Sequence, residues 1–285
     1  MTRVKTFFLS LFFVLSFPAL LFAHGGELLV TPETILQGEP FLVVAKGIDI
    51  REIKKLTWDG VSVPVFLYKG KPTTIVGVDL IARVGAHTLK LSITDGDEVK
   101  KAVEIQSRKK ITAPLGIPQK LGGNTKQSQQ NLVSILSKEN GVLAKVVSNK
   151  LPWWGEPFAF PLAESVVTDE YGYSRATGSY SIPHKGTDFR ADIGTPVRAI
   201  NAGVVRLARD FTVYGKTVVI DHGGGVQSFS MHLSKLNVKE GQKVQQGDML
   251  GLSGDSGYAL SPHLHLSIRI GGVSIDPVKF FALFQ

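Results

Sequence analysis

The chain has 285 residues and no cysteine, and its 32 Lys and Arg against 24 Asp and Glu give a formal net charge of +8. Without cysteine there are no disulfides, no lipid-modified cysteine and no thiolate metal ligand, so a metal site must use histidine and carboxylate. The basic charge favours an anionic polymer as partner, but not nucleic acid, because basic and aromatic residues do not interleave in clusters.

Residues 1–23 have the pattern of an export signal. Basic residues precede an apolar run at 7–15, and the small residue Ala23 ends the segment. This pattern predicts a secretory signal peptide that is cleaved after Ala23. An uncleaved membrane anchor is the alternative, but Pro18 and the short apolar run argue against it. We therefore expect an exported protein, periplasmic or extracellular, with no stable membrane insertion after cleavage.

Residues 24–107 are predicted to form an all-β domain. Short apolar or alternating runs are separated by turn dipeptides such as Asp59-Gly60 and Asp95-Gly96. Many short strands punctuated in this way are typical of an immunoglobulin-like β-sandwich. No chemical constellation stands out in this segment. Its His87 is isolated from other ligand-type residues, which predicts a structural or positioning role.

Residues 108–155 are predicted to form a linker that contains a helix. The segment is first basic and then rich in Pro and Gly. Apolar residues then recur at near-helical spacing, namely Leu132, Ile135, Leu136, Leu143 and Val147. Ser128 is the predicted N-cap and Gly141 a weak point. Trp153 and Trp154 are expected to pack between domains, with stacking on sugar rings as the alternative.

Residues 156–285 are predicted to form a second β domain that carries the chemistry. Glycine-punctuated apolar runs indicate a compact antiparallel sheet, and no stretch of helical period interrupts them. Five of the seven histidines of the chain lie between residues 184 and 265. His222 precedes three glycines at a turn and is predicted to be structural. The overall fold class is therefore all-β with two domains joined by a helical linker.

A metal site is predicted from two histidine motifs in this part of the chain. His263 and His265 are two residues apart, so in a strand both imidazoles lie on one face while Leu264 lies on the other. His184 and Asp188 flank a segment whose glycine allows a sharp bend. These two residues and one histidine of the His263/His265 pair would make a His2Asp set with one tetrahedral position open for water.

An ordered series of motifs resembles the lysostaphin/LytM-type zinc metallopeptidases over about residues 157–277. The quoted motifs are Tyr171-Gly-Tyr-Ser-Arg175, His184-Lys-Gly-Thr-Asp188, Gly194-Thr-Pro-Val197, Gly203-Val-Val205, Ile220-Asp-His-Gly-Gly-Gly225, Met231-His-Leu-Ser234, Gly241-Gln-Lys-Val244 and Pro262-His-Leu-His265. The combination is far more specific than any single motif. It implies an antiparallel β metallopeptidase domain of LytM type.

The resemblance implies an endopeptidase that cuts peptide bonds in bacterial cell-wall peptidoglycan, with one zinc ion as cofactor. By analogy His184, Asp188 and His265 would bind the zinc ion. His232 and His263 would then transfer protons or hold the developing oxyanion, with the two roles undivided. Arg175, in a motif that resembles FGxR, would orient the substrate or support the groove.

The sequence departs from the usual pattern of the family without losing a ligand-type or catalytic-type residue. Ser230, Leu260, Ser261 and Ser267 stand where other residues are frequent, which affects the expected shape of the substrate groove. The main alternative is a non-catalytic LytM-like domain that activates cell-wall amidases, but such domains typically lack zinc ligands. A non-haem iron oxygenase would require a different spacing of its two histidines and carboxylate.

Overall fold

The structure is a computed structural model that describes residues 26–114, 116–177 and 179–285. The predicted signal peptide, 1–23, lies outside these residues. Regular structure is mostly β-strand, as the sequence indicates. Across the described residues, no helix combines the length and the apolar character needed to cross a bilayer.

The first nine strands form two sheets. The strands are β1 (Glu27–Thr31), β2 (Ile35–Leu36), β3 (Pro40–Lys46), β4 (Ile53–Trp58), β5 (Val61–Val63), β6 (Phe66–Tyr68), β7 (Lys71–Gly77), β8 (Gly85–Ile93) and β9 (Glu98–Gln106), with a 3-10 turn at Ile50–Glu52. One sheet has the order β1-β3-β7-β6 and the other the order β2-β9-β8-β4-β5.

The two sheets share one apolar core because their strands alternate. In β8, His87, Leu89, Leu91 and Ile93 are buried while residues between them are less so. The three apolar residues among them belong to a cluster with Phe41, Val43 and Ala45 of β3, in the opposite sheet, as expected for facing sheets. The immunoglobulin-like topology itself stays a prediction.

His87 has a packing role in this core. Its Nδ1 lies 2.5 Å from Asp59 Oδ2 and its Nε2 lies 2.6 Å from the Arg83 carbonyl oxygen. Its ring stacks on Trp58 at a centroid distance of 5.2 Å. Both ring nitrogens are therefore engaged inside the sandwich, in line with the predicted structural role.

The segment after the first two sheets folds against the rest of the chain. It contains β10 (Thr112–Pro114), a 3-10 turn at Gln119–Leu121 and α1 (Lys126–Leu143). The predicted N-cap of α1 is wrong. Thr125 is the cap, because its Oγ1 accepts from the Ser128 amide at 3.1 Å, whereas the Ser128 hydroxyl donates to the Gly122 carbonyl. Gly141 does not end the helix.

Glu139 anchors α1 to the second β region. Its carboxylate is buried and accepts from the amides of Thr212, Val213 and Tyr214 at 2.6 to 3.2 Å. These three amides belong to the turn that joins the strands Gly203–Phe211 and Gly215–Gly223 of the second β region. Charge-assisted hydrogen bonds of this kind are among the stronger ones in proteins, so the helix is held firmly along the sheet.

The remaining strands form one large sheet and contribute to two smaller ones. They are β11 (Val167–Asp169), β12 (Ser174–Thr177), β13 (Tyr180–Pro183), β14 (Thr187–Arg190), β15 (Pro196–Arg198), β16 (Gly203–Phe211), β17 (Gly215–Gly223), β18 (Val226–Leu233), β19 (Lys235–Leu236), β20 (Lys243–Val244), β21 (Met249–Leu252), β22 (His263–Ile270) and β23 (Val273–Ile275). The large sheet has the order β11-β14-β22-β18-β17-β16-β20, with β23 paired to β22. Smaller sheets are β10-β12-β13 and β15-β21-β19.

A short C-terminal helix, α2 (Pro277–Ala282), was not predicted from the sequence. Asp276 caps it by accepting from the amides of Val278 and Lys279, and proline occupies its first turn. Its Phe280 and Phe281 are fully buried in the core of the large sheet. The helix was missed because six residues are too few for a helical period to stand out.

Apolar packing joins the two β regions. Phe66 and Ile75 of the first region belong to the same buried cluster as Trp154, which is 7% exposed. The expected packing role therefore holds for Trp154, whereas Trp153 is 45% exposed. The division of the chain into separate domains stays a prediction.

Candidate metal centre

Strand β22 forms the floor of the candidate site. Its residues alternate, so that His263, His265, Ser267 and Arg269 share one face and Leu264 lies buried on the other. The strand pairs antiparallel with β14 in a register that puts Asp188 directly opposite His265. The predicted strand with two histidines on one face is confirmed.

His184 reaches the site through a tight bend between β13 and β14. The bend needs Gly186, because a Cβ there would lie 2.7 Å from the carbonyl oxygen of Leu266 and would also collide with the ring of His265. Only a residue without a side chain lets the chain pass so close to β22. Gly186 is therefore needed because the backbone of the bend lies so close to β22.

His184, Asp188 and His265 bring three ligand-type atoms together. His184 Nε2 lies 3.1 Å from both Asp188 Oδ1 and His265 Nδ1, and His265 Nδ1 lies 2.8 Å from Asp188 Oδ1. Among the described residues this is the one group of three or more His, Cys, Asp or Glu with metal-binding geometry. The spacing argument left open which of His263 and His265 joins this group, and in the structure it is His265.

The hydrogen bonds around the two histidines direct lone pairs at this cluster. His184 Nδ1 lies 2.8 Å from the carbonyl oxygen of Glu170, which can only accept, so Nδ1 carries the proton and Nε2 a lone pair. The Ser267 hydroxyl donates to the Lys185 carbonyl oxygen and lies 3.3 Å from His265 Nε2. That hydroxyl accepts from Nε2, which leaves a lone pair on His265 Nδ1.

Three acceptors in mutual contact fit a cation. Burial lowers the pKa of His265, which favours its neutral form. Two imidazole lone pairs and a carboxylate therefore face one point, and this donor set is one that zinc prefers.

His232 approaches the cluster through an unusual backbone conformation. Met231 pairs with His265 across the sheet, so strict alternation would direct His232 to the opposite face. At His232 the backbone φ is 61°, in the left-handed region, which changes the direction of the side chain. Its ring lies 4.9 Å from that of His263 and 5.9 Å from that of His265.

His232 and His263 have matching tautomers. The Nδ1 of each lies 2.8 Å from a backbone carbonyl oxygen, that of Ser256 for His232 and that of Ser261 for His263. In their neutral forms both rings therefore carry a lone pair on Nε2. Burial, with a further effect of the neighbouring His265 and His263, lowers the pKa of His232 to about 3. His232 is therefore a neutral acceptor near neutral pH.

Arg175 lies at the edge of the cluster and is neutralised locally. It forms an ion pair with Asp169, and its Nη2 lies 4.0 Å from Asp188 Oδ2.

His222 lies outside the cluster, as expected. It is fully buried, with its Nδ1 2.9 Å from the Ala202 carbonyl oxygen and its Nε2 2.8 Å from Ser228 Oγ.

The sequence reasoning missed two of these supporting contacts. Ser267 was noted only as a departure from the family pattern, although its spacing of two residues from His265 was a signal that both share a face. The Glu170 contact uses a backbone carbonyl, which no residue type can reveal. Both contacts fix the tautomer of a proposed ligand histidine. Hydrogen-bond partners of metal-binding histidines commonly have this effect.

The cluster lies in a groove of about 980 Å³. One wall comes from α1 through Leu132, Leu136 and Asn140, and the other from residues of β11 to β13. The loop that contains Tyr258 lines the groove as well, and so do Asp79 and Ser274. A groove with five polar site residues on its floor suits an extended chain as ligand.

The fold and the site combine an antiparallel β-sheet with a cluster of two histidines and a carboxylate that could hold a metal ion. Residues 182–277 match the model of Peptidase family M23. The matched segment includes all five of the site histidines and carboxylates described above, from His184 to His265.

Relatives share this segment. Peptidoglycan DD-endopeptidase ShyA of Vibrio cholerae is 44% identical over 97 residues, which is 34% of this chain and 23% of that protein. DD-carboxypeptidase/endopeptidase Mpg of Neisseria meningitidis is 35% identical over 120 residues, 42% of this chain and 28% of that protein. The chain thus spans about a quarter of the length of these curated relatives.

One solved structure extends the similarity beyond the matched segment. A crystal structure assigned to peptidase M23 from Pseudomonas aeruginosa is 26% identical, with a TM-score of 0.64. The alignment covers 87% of this chain and 96% of that one. The overall fold is therefore similar in the two proteins over most of the chain.

Proposed function

We propose that the protein is a zinc-dependent endopeptidase that hydrolyses peptide bonds in bacterial cell-wall peptidoglycan. The observation that carries this proposal is the convergence of three acceptor atoms, from His184, Asp188 and His265, on the floor of an open groove. Relatives named as peptidoglycan endopeptidases support the substrate class. The basic charge of the chain suits an anionic polymer.

In this proposal His184, Asp188 and His265 hold one zinc ion. When bound, zinc would polarise the scissile carbonyl and make an attacking water more acidic. Three protein ligands would leave such an ion accessible to water or substrate. Glu170 and Ser267 keep the two histidines in the tautomers that ligation requires.

His232 and His263 would move the proton. Each has its Nδ1 engaged by a backbone carbonyl, so its Nε2 can accept a proton from the attacking water and then deliver it to the leaving amine. The protonated ring would also stabilise negative charge on the carbonyl oxygen. Arg175, held by Asp169 beside Asp188, would orient the substrate.

The alternative function is a non-catalytic domain that activates cell-wall amidases. Such a domain has no need for neutral histidines aimed at an open groove. Here three ligand-type residues and two further histidines are all present, and their tautomers suit catalysis. These contacts favour the enzyme.

The proposal includes the layout of the chain. A signal peptide at 1–23 would direct export to the periplasm or cell surface, followed by a β-sandwich at 24–107, a linker with a helix at 108–155 and the peptidase domain at 156–285. N-terminal sequencing of the exported protein tests the first point. A chain that still begins at Met1 would contradict cleavage after Ala23.

Digestion of purified peptidoglycan tests the function. The zinc-loaded mature protein should release fragments with new amino and carboxyl termini within the peptides, which mass spectrometry identifies. Asp188→Ala should abolish this release, whereas Asp210→Ala, a change at an exposed carboxylate outside the groove, should not. Fragments that form only when an amidase is added would support the alternative function instead.

A further inference from the structure

Arg269 lies in the same groove as the metal centre but belongs to neither the cluster nor its supporting contacts. It follows His265 by four residues on β22 and therefore shares its face of the sheet. Both residues line the groove. A strand rises about 3.4 Å per residue, which separates the two backbone positions by about 14 Å.

Arg269 packs against an aromatic ring and the end of α1. Its guanidinium lies 4.5 Å from the ring centroid of Phe229, and its Nη1 donates to the Leu143 carbonyl oxygen at the end of α1 at 3.3 Å. Stacking on an aromatic ring holds the guanidinium plane in place. Burial also lowers the pKa of Arg269, which indicates an incompletely compensated charge.

The rest of this guanidinium has no protein acceptor. Within the described part of the chain, Nε is buried without a hydrogen-bond partner, and no carboxylate forms an ion pair with Arg269. Two other arginines use the Nε/Nη2 edge for a carboxylate. Arg206 donates from both atoms to Asp221, and Arg209 donates to Glu240 at 2.5 and 3.1 Å.

We propose that Arg269 is a substrate-binding residue whose guanidinium, where it lines the groove, receives a carboxylate of the peptidoglycan stem peptide. This inference rests on the proposed function of the groove. Hydrogen bonds from a guanidinium to a carboxylate are charge-assisted and are among the stronger ones in proteins. The arriving anion would compensate a cation that the protein leaves without an acidic partner.

The position of Arg269 defines where that carboxylate lies. An extended peptide along β22 covers the distance of about 14 Å with about four residues. The recognised carboxylate is therefore several residues from the bond that is cut. Binding there would fix the register of the peptide in the groove, and it would distinguish stem peptides with free carboxylates from those with carboxamides.

Calorimetric titration with two matched ligands tests this role. The ligands are an uncrosslinked tetrapeptide stem from peptidoglycan and the same peptide with its carboxylates converted to carboxamides. The zinc-loaded mature protein should bind the free acid about tenfold more tightly or better, as expected for a charge-assisted hydrogen-bonded pair. Arg269→Gln should reduce this preference to less than about twofold, and Arg209→Gln, at an exposed arginine outside the groove, should keep it.

Arg269→Lys extends the test if the glutamine variant does not fold, because it keeps the charge but loses the planar guanidinium. It should lose part of the preference. Equal binding of both ligands by the unaltered protein, no binding of either, or an unchanged preference in the Arg269 variants would overturn the proposal. Peptidoglycan digestion is measured separately. A protein that cuts peptidoglycan without the carboxylate preference refutes only the role of Arg269, and one that shows the preference without cutting refutes only the proposed activity.

Discussion

Removal of the proposed zinc ion should destabilise the whole folded chain. The three proposed ligands come from the bend before β14, from β14 itself and from β22, so a bound ion would join these segments directly. Without it, two imidazole lone pairs and the Asp188 carboxylate face one another at 2.8 to 3.1 Å. Such contacts between acceptors are repulsive, and relief of this repulsion would be part of the binding free energy of the ion.

The expected size of the effect follows from linkage. An ion that binds only the folded state, at a free concentration about a thousandfold above its Kd, stabilises it by about 4 kcal/mol. In proteins of this size class each kcal/mol changes the unfolding midpoint by about 2–4 °C. Chelation should therefore lower the midpoint by about 10 °C.

Differential scanning calorimetry with a chelator, and then with zinc restored, measures this shift. The unaltered protein should lose and regain its higher midpoint. Asp188→Ala should have a low midpoint that zinc barely changes. Asp210→Ala, at an exposed carboxylate beside Lys216, is the control and should respond as the unaltered protein does. A midpoint of the unaltered protein that ignores the chelator would refute the assignment of the metal centre.

Three further changes probe other contacts. His232→Ala should keep zinc, measured by elemental analysis, but lower turnover about a hundredfold or more, because it removes a proton acceptor and no ligand. His222→Gln should flatten the dependence of the free energy of urea unfolding on pH. Burial lowers the pKa of His222 to about 4 from 6.5, so the fold is favoured while the ring is neutral, which holds fully above pH 6.5. This contribution, about 3 kcal/mol, disappears as the pH falls to 4. Glu139→Ala should cost about 3 kcal/mol in the free energy of unfolding, because three amide groups lose their acceptor.

Each of these expectations has a contrary result. Loss of zinc in His232→Ala with retention in His265→Ala would exchange the roles of the two histidines. An unchanged slope of stability against pH in His222→Gln would show that the buried ring is not the titrating group. A Glu139→Ala variant as stable as the unaltered protein would mean that water replaces the lost carboxylate contacts.

Local patterns in the sequence were sufficient for the centre of the site. The spacing of His263 and His265 with Leu264 between them predicts a strand with one polar face, and β22 has this arrangement. Alternation has a period of two, so no knowledge of distant contacts is needed. The sequence pattern does not determine the N-cap of α1, because Thr125 and Ser128 are both cap formers. In the structure Thr125 is the cap, since its side chain accepts from the Ser128 amide.

Local sequence patterns do not predict contacts between residues that are far apart in the chain. The direction of the His232 side chain depends on a left-handed backbone conformation, which the residue type does not predict. The wall formed by α1 depends on Glu139, whose acceptor role appears only when a turn 73 residues further on meets the helix. Periodicity indicates that a helix is amphipathic but not which sheet it covers.

Part of the groove wall comes from outside the segment that carries the proposed chemistry. The proposed ligands and proton carriers all lie between His184 and His265, within the segment matched to the family. The α1 wall and Asp79 come from outside that segment. Residues that bind a metal must meet strict distances, whereas groove walls tolerate many side chains. Relatives that share only the matched segment can therefore keep the same reaction while their walls, and the peptides they accept, differ.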